Sequence, residues 1–135
     1  MTDTRLFGLH PYIPAAILAI VVLIPIALTP EPYRNDLLAY QLLIIAGVYI
    51  GFAVNDGRPV VMAIEVAHLA GFIALTLLGL WISPWFLVVG YFSHGAWDLL
   101  HRPSLIQTEL ARWYPPLCLV YDWIFGAVLI FWLVV

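Results

Sequence analysis

The chain has 135 residues, of which 64% are hydrophobic and only 10% are charged. A soluble domain carries roughly a quarter charged residues, so this composition excludes an ordinary soluble fold and indicates an integral membrane protein in contact with the lipid bilayer. The chain has five basic residues, none of them lysine, and a formal net charge of −3, which excludes a nucleic-acid interface.

Hydrophobic segments long enough to cross a bilayer recur along the chain. A transmembrane helix needs about 20 mostly apolar residues, and a helix satisfies its backbone polar groups within one segment in hydrocarbon. The segments that qualify are approximately 12–29, 37–55, 59–82, 84–101 and 115–135. We therefore expect an all-α integral membrane protein, a compact bundle of five transmembrane helices that forms one domain over residues 1–135.

Two of the connections carry further structural signals. Ser83-Pro84 leaves almost no loop between the third and fourth segments, which predicts a tight antiparallel hairpin of these helices. Residues 102–114 are too polar to span, and they include Ser104 and Gln107 at the spacing of a capping box. We expect this stretch to form a short interfacial helix before the fifth span.

The arginines predict the orientation of the bundle, because cytoplasmic loops of membrane proteins carry an excess of basic residues. In a bundle of five spans, Arg34 lies on one face of the membrane. The others lie on the opposite face: Arg5, Arg58, Arg102 and Arg112. We therefore expect a cell-membrane protein whose amino terminus is cytoplasmic and whose carboxyl terminus is outside.

Six ionisable residues lie inside the predicted third, fourth and fifth spans: Glu65, His68, His94, Asp98, His101 and Asp122. Charged groups at membrane depth cost about 2.5–3.5 kcal/mol each on insertion scales, and they are candidates for function for that reason. A helix rises about 1.5 Å per residue, which places all six in one layer near the predicted cytoplasmic face. The other halves of these three spans carry no charged residue and no histidine.

The residue types in this layer are those of a metal site. Imidazole and carboxylate together are the ligands of zinc, iron and manganese. A carboxylate-x-x-His spacing puts both groups on one face of a helix, and it occurs twice, in Glu65–His68 and in Asp98–His101. The sequence therefore predicts a site for a divalent metal ion.

His94 and Asp122 would complete the shell of one or two such ions. Glu65 or Asp122 is then the candidate catalytic residue, acting as a general base beside the metal. Two other interpretations of the same residues stay open. They could form a proton or ion path, or a structural polar cluster that holds the helices together by hydrogen bonds.

The run from His94 to His101, His-Gly-Ala-Trp-Asp-Leu-Leu-His, resembles a His-x-x-Trp-Asp-x-x-His run in an uncharacterised family of small bacterial multi-pass membrane proteins. The likeness extends to residues 49–57 and to Tyr121-Asp122, and so covers most of the chain from about residue 45 onward. Arg102 stands where that family often carries a further histidine. The resemblance implies a shared site and names no reaction.

Three functions fit these observations. The leading hypothesis is a metal-dependent enzyme whose lipophilic small-molecule substrate enters from the bilayer, with residues 102–114 covering the site. The second is transport of protons or a metal ion, and the third is an accessory or assembly subunit of a larger membrane complex. Gly47-x-x-x-Gly51 predicts a close-packing face for a neighbouring helix, which a homo-oligomer or a membrane complex could supply.

Overall fold

A computed structural model describes residues 9–101 and 105–135 of the chain. These residues form five α-helices: α1 (Tyr12–Ala27), α2 (Tyr33–Asp56), α3 (Pro59–Trp81), α4 (Trp85–Leu100) and α5 (Tyr114–Val134). Each helix begins and ends close to one of the predicted spans, so the all-α fold is confirmed. By length and composition, α2, α3 and α5 could each cross a membrane, whereas α1 and α4 have 16 residues each.

Proline and glycine fix the helix ends on one side of the molecule. Pro59 at the start of α3 and Pro115 in the first turn of α5 occupy positions where a missing N–H leaves no helical bond unmade. Gly57 ends α2 with a φ of 77°, a left-handed conformation that glycine adopts without strain. These residues explain where α2 ends and where α3 and α5 begin. All three helix ends lie near the polar residues described below.

The helices pack closely where one of them carries glycine. A Cβ atom at Gly90 of α4 would lie 2.4 Å from the side chain of Leu42 in α2. A Cβ atom at Gly95 would lie 2.4 Å from the indole nitrogen of Trp123 in α5. These contacts set the rotation of α4 between its neighbours, which decides where its polar side chains point.

The connection before α5 differs from the prediction. The described residues 105–113 are not helical, so the predicted interfacial helix is wrong for this part of the chain. Ser104 of the predicted capping box lies outside the described residues, as do Arg5 and Arg102, on which part of the predicted orientation depends.

Long-range hydrogen bonds explain why this segment is extended. The backbone N–H of Glu109 donates to the Asp56 carboxylate at 2.9 Å, and the Thr108 hydroxyl donates to Glu65 at 2.7 Å. These bonds tie the segment to the ends of α2 and α3, and they replace the local backbone bonds that a helix would make. Residues 105–113 form a strap, and we use this name for them below.

Gly47 and Gly51 do not pack against another helix within the described chain. A Cβ atom added at either position would meet nothing within 4 Å. The predicted close-packing face is therefore open in the single chain.

Candidate metal centre

The structure brings the six predicted residues together in one polar layer. Two of the residues come from α3, three from α4 and the position that ends it, and one from α5: Glu65, His68, His94, Asp98, His101 and Asp122. The side chain of each is no more than 1% exposed. Residues that are separate in sequence thus lie together in one buried layer.

His94, Asp98 and Asp122 form the tightest group in this layer. Each offers one nitrogen or oxygen atom, and these atoms all lie within 4.8 Å of one another. His94 and Asp98 are one turn apart on α4, with His94 Nδ1 3.9 Å from Asp98 Oδ2. Helix α5 adds Asp122 from the opposite side, with its Oδ2 2.6 Å from His94 Nδ1. This spacing suits three ligands of one divalent ion.

Several polar atoms in this layer lack partners. Among the described residues, six buried side-chain nitrogen or oxygen atoms make no hydrogen bond, and five belong to the layer: His94 Nε2, Asp98 Oδ2, Asp122 Oδ1 and both ring nitrogens of His68. Buried polar atoms in native proteins nearly always have a partner, and exceptions require an explanation. A cation bound among these atoms would provide one.

Glu65 and His101 form a second group with a different character. Glu65 Oε1 lies 2.7 Å from His101 Nε2 and also accepts a 2.7 Å hydrogen bond from Thr108. The indole N–H of Trp97 donates to the other Glu65 oxygen at 3.3 Å. His101 Nδ1 lies 3.0 Å from the Trp97 carbonyl, which can only accept, so Nδ1 carries a hydrogen. The contact between His101 Nε2 and Glu65 then requires one further proton, which the two side chains share.

His68 lies between the two groups and is bonded to neither. Its ring stacks on Trp97, with ring centroids 4.3 Å apart and planes 9° from parallel. Its centroid is 5.4 Å from that of His94. Its Nδ1 is 3.8 Å from Glu65 Oε2, which is too far for a hydrogen bond. The Trp97 stack thus holds an imidazole with both nitrogens unpartnered beside the three-residue group.

Tyr49 belongs to the site, although the residue types did not single it out. It is fully buried on α2, donates a 2.5 Å hydrogen bond to Asp98 Oδ1, and stacks on His101 with ring centroids 4.2 Å apart. It links the two groups and fixes one oxygen of Asp98, leaving the other oxygen unpartnered. Its one signal in the sequence was its place in residues 49–57, which share the family resemblance.

Residues 10–133 match DUF6010, a family of unknown function. The chain belongs to this family. The match includes every residue of the polar layer, and it confirms the expectation of a family with no assigned activity. No curated protein and no solved structure matches the chain. The function of this DUF6010 protein must therefore be argued from the site itself.

An ion pair between Arg58 and Asp56 anchors the strap at the rim of the polar layer. Arg58 Nε and one terminal nitrogen bond the two oxygens of Asp56 at 2.7 and 2.8 Å. The Asp56 carboxylate raises the pKa of Arg58, so the guanidinium is charged at every physiological pH. Arg58 also donates to the backbone carbonyl of Gln107 in the strap. The pair thus holds the strap against the start of α3.

A cavity of about 1000 Å³ opens beside the polar layer. Asp98 and His101 reach its wall from the layer, and the strap supplies Thr108 and Arg112. Leu119 of α5 adds apolar surface. The volume is that of a pocket for a small molecule, roughly 300–1000 Å³, and the cavity lies beside both groups of the site, whose side chains are no more than 1% exposed to it.

Proposed function

We propose that this protein is an integral membrane enzyme that holds a divalent metal ion at His94, Asp98 and Asp122 and acts on a lipophilic substrate. One observation carries the proposal. Three fully buried ligand residues from two helices meet within 4.8 Å, and each has an atom with no hydrogen-bond partner among the described residues. The Asp98 and Asp122 carboxylates lie within hydrogen-bond reach of each other. Two acceptors this close need either a shared proton or a cation between them, and a cation would also use the imidazole beside them.

The ligand types favour zinc, iron or manganese, which bind imidazole and carboxylate together. Three residues account for one ion with open positions, and His68 is the nearest further imidazole. A second ion would have to recruit Glu65 and His101, whose facing atoms are already paired. We therefore propose one ion, which when bound would polarise an oxygen of the substrate as a Lewis acid.

The Glu65–His101 pair is the proposed proton carrier. His101 lines the cavity, and its Nε2 shares a proton with Glu65 Oε1 at 2.7 Å. A group at the wall that can give or take a proton is what general acid–base chemistry requires. Asp122 is bonded to His94 Nδ1. We assign it the role of a ligand that also orients His94, in preference to that of the base.

The proposed membrane topology has five spans in one domain over residues 1–135. Contacts along the full length of α3 and α4 support an antiparallel hairpin, because Gly79 lies against Leu87 beside the connection while Glu65 bonds His101 at the other end. At 16 residues, α4 is about 24 Å long, and local thinning of the bilayer would accommodate it. The site then lies near the cytoplasmic face, with the amino terminus inside and the carboxyl terminus outside.

Proton or metal-ion transport is a second candidate, favoured by one observation. Beyond Asp122, two part-buried hydrogen bonds join Gln41 to Tyr121 and to Tyr91, so the polar groups do not end at the metal site. Transport predicts uptake into liposomes driven by a pH or metal gradient. A protein that binds metal and shows no such flux would leave the enzyme as the proposal.

Metal analysis of the detergent-purified protein tests the main proposal. By inductively coupled plasma mass spectrometry, we expect about one equivalent of zinc, iron or manganese in the wild type and less than about one tenth in His94→Ala. His10→Ala is the matched control, because His10 lies exposed before α1 and outside the layer, and it should keep its metal. A folded wild type without metal, even after reconstitution, would refute the proposal and favour an accessory subunit.

A further inference from the structure

The cavity beside the polar layer adjoins a second, apolar space. This groove has a volume of about 520 Å³ and runs along the outer face of α5 next to the start of α1. Its lining is Tyr12, Leu119, Val120, Trp123, Ile124 and Ala127. Two of these residues, Tyr12 and Leu119, also line the cavity. The two spaces are therefore neighbours, and together they extend from residues that border the polar layer to the outer face of α5.

The two spaces differ in chemistry. The cavity wall carries Arg112, which makes no ion pair with any residue that the structure describes, together with Asp98 and His101 of the site. Glu109 lies on the same wall, so the cavity has both signs of charge and accepts a polar group readily. The groove has aromatic and aliphatic side chains, and the Tyr12 hydroxyl is its one side-chain hydrogen-bonding group besides the Trp123 indole.

We propose that the cavity and the groove together bind one single-chain lipid whose head group presents acceptor oxygens. The head would lie in the cavity, where Arg112 can donate to it, and the chain would follow α5. From Leu119 to Ala127 the groove covers nine residues, or about 12 Å of helix. This proposal rests on the proposed function in that the metal ion would hold the same head-group oxygens and so make this lipid the substrate.

An apolar helix face alone would not support this assignment, since every transmembrane helix contacts lipid. What distinguishes this face is that it adjoins a cavity whose lining includes Asp98 and His101. A lipid dissolved in the bilayer could enter through the groove without leaving the membrane. The site then selects lipids by their head group, and the groove favours one chain over two.

The test uses full-length protein in lipid nanodiscs and a long-chain carboxylic acid with a nitroxide on the chain. Electron paramagnetic resonance measures the immobilised probe, and we expect saturable binding of about one probe per chain. Ala127→Phe, which fills the groove, and Arg112→Leu, which removes both the charge and the donor, should each weaken binding roughly tenfold. Val134→Phe is the matched control, on the exposed face of α5 outside the groove, and should leave binding unchanged.

Metal content measured on the same samples separates the two proposals. If binding is saturable and both Ala127→Phe and the Arg112 variant weaken it, the lipid site is supported. If the wild type in those samples also lacks metal, only the metal proposal fails. Metal-loaded protein whose immobilised signal is non-saturable and equal in all variants overturns the lipid site alone, because such a signal reports ordinary boundary lipid. A probe with a trimethylammonium head, which has no acceptor oxygen, should not bind saturably. Equal binding of this probe would overturn the assigned head-group chemistry.

Discussion

The two groups within the polar layer have the same residue types and the same burial, yet their hydrogen bonding is opposite. Around Glu65, both carboxylate oxygens and both nitrogens of His101 have partners. In the group of His94, Asp98 and Asp122, each side chain has one atom without a partner among the described residues. The first group is complete as it stands, and the second has the bonding capacity to take a ligand.

This difference shows that burial and residue type do not distinguish a group with complete hydrogen bonds from one that can take a further ligand. An unsatisfied buried polar atom costs about 1–3 kcal/mol, and a whole protein is stable by only about 5–15 kcal/mol. The unpartnered atoms of the second group would together consume a large part of that stability. A bound ion that satisfies them accounts for their presence, whereas the first group needs none.

The largest expected effect is on metal affinity, which should separate the two groups. Asp98→Asn removes a ligand charge, and we expect it to lower affinity more than about 100-fold, beyond the 10–100-fold typical of outer-shell changes. Glu65→Gln should stay within about tenfold of the wild type. Titration against a chelator of known affinity measures both. Equal losses in the two variants would mean that the layer is one site and that our division of it is wrong.

The second effect is on thermal stability with and without metal. An ion that binds only the folded state stabilises it by about 2.7 kcal/mol at 100 times its dissociation constant. Metal should therefore raise the melting temperature of the wild type and of Glu65→Gln, and leave that of Asp98→Asn unchanged. Differential scanning fluorimetry in detergent measures all three. A rise in Asp98→Asn equal to that of the wild type would show that the stabilising ion binds elsewhere.

The helices and the common layer of the site residues could be predicted from the sequence, because both depend on distance along the chain. Long hydrophobic runs predict the helices, and a fixed rise per residue places Glu65, His94 and Asp122 in one layer. The division into two groups could not be predicted. It depends on how each helix is rotated about its axis, which contacts such as Gly95 against Trp123 determine.

Two features, the role of Tyr49 and the extended strap, could not be predicted from the sequence, for different physical reasons. Tyr49 is an apolar-looking residue in a hydrophobic helix, and nothing in its type distinguishes a buried hydroxyl that bonds Asp98 from one that faces lipid. In the strap, local spacing favoured a helix, but bonds to Asp56 and Glu65 from distant parts of the chain override that preference. Both outcomes follow from tertiary contacts that a local pattern does not contain.

The Glu65–His101 group should contribute to the stability of the fold without contributing to metal binding, and this effect should be smaller. Thr108→Val keeps the shape of the side chain and removes the hydrogen bond to Glu65. A hydrogen bond to a charged group contributes about 1.5–3 kcal/mol, and we expect the free energy of unfolding in mixed micelles to fall by that amount. Metal content should not change. Loss of metal without loss of stability would instead place Thr108 in the metal group.

The smallest effect on stability should come from the half of the bundle away from the polar layer. There the Tyr91 hydroxyl, the Leu38 carbonyl and the Gln41 side chain form a hydrogen-bonded trio. Tyr91 is fully buried and donates to the Leu38 carbonyl at 2.8 Å, with Gln41 Oε1 3.1 Å away. Neutral hydrogen bonds contribute about 0.5–1.5 kcal/mol, so Tyr91→Phe should lower the free energy of unfolding by about that much and keep full metal content. Tyr40→Phe, at an exposed position next to Gln41 on α2, is the control and should change neither the free energy of unfolding nor the metal content. If Tyr91→Phe abolished metal binding or proton flux while the protein still folded, this trio would take part in function. A complete set of hydrogen bonds would then not identify a group as purely structural.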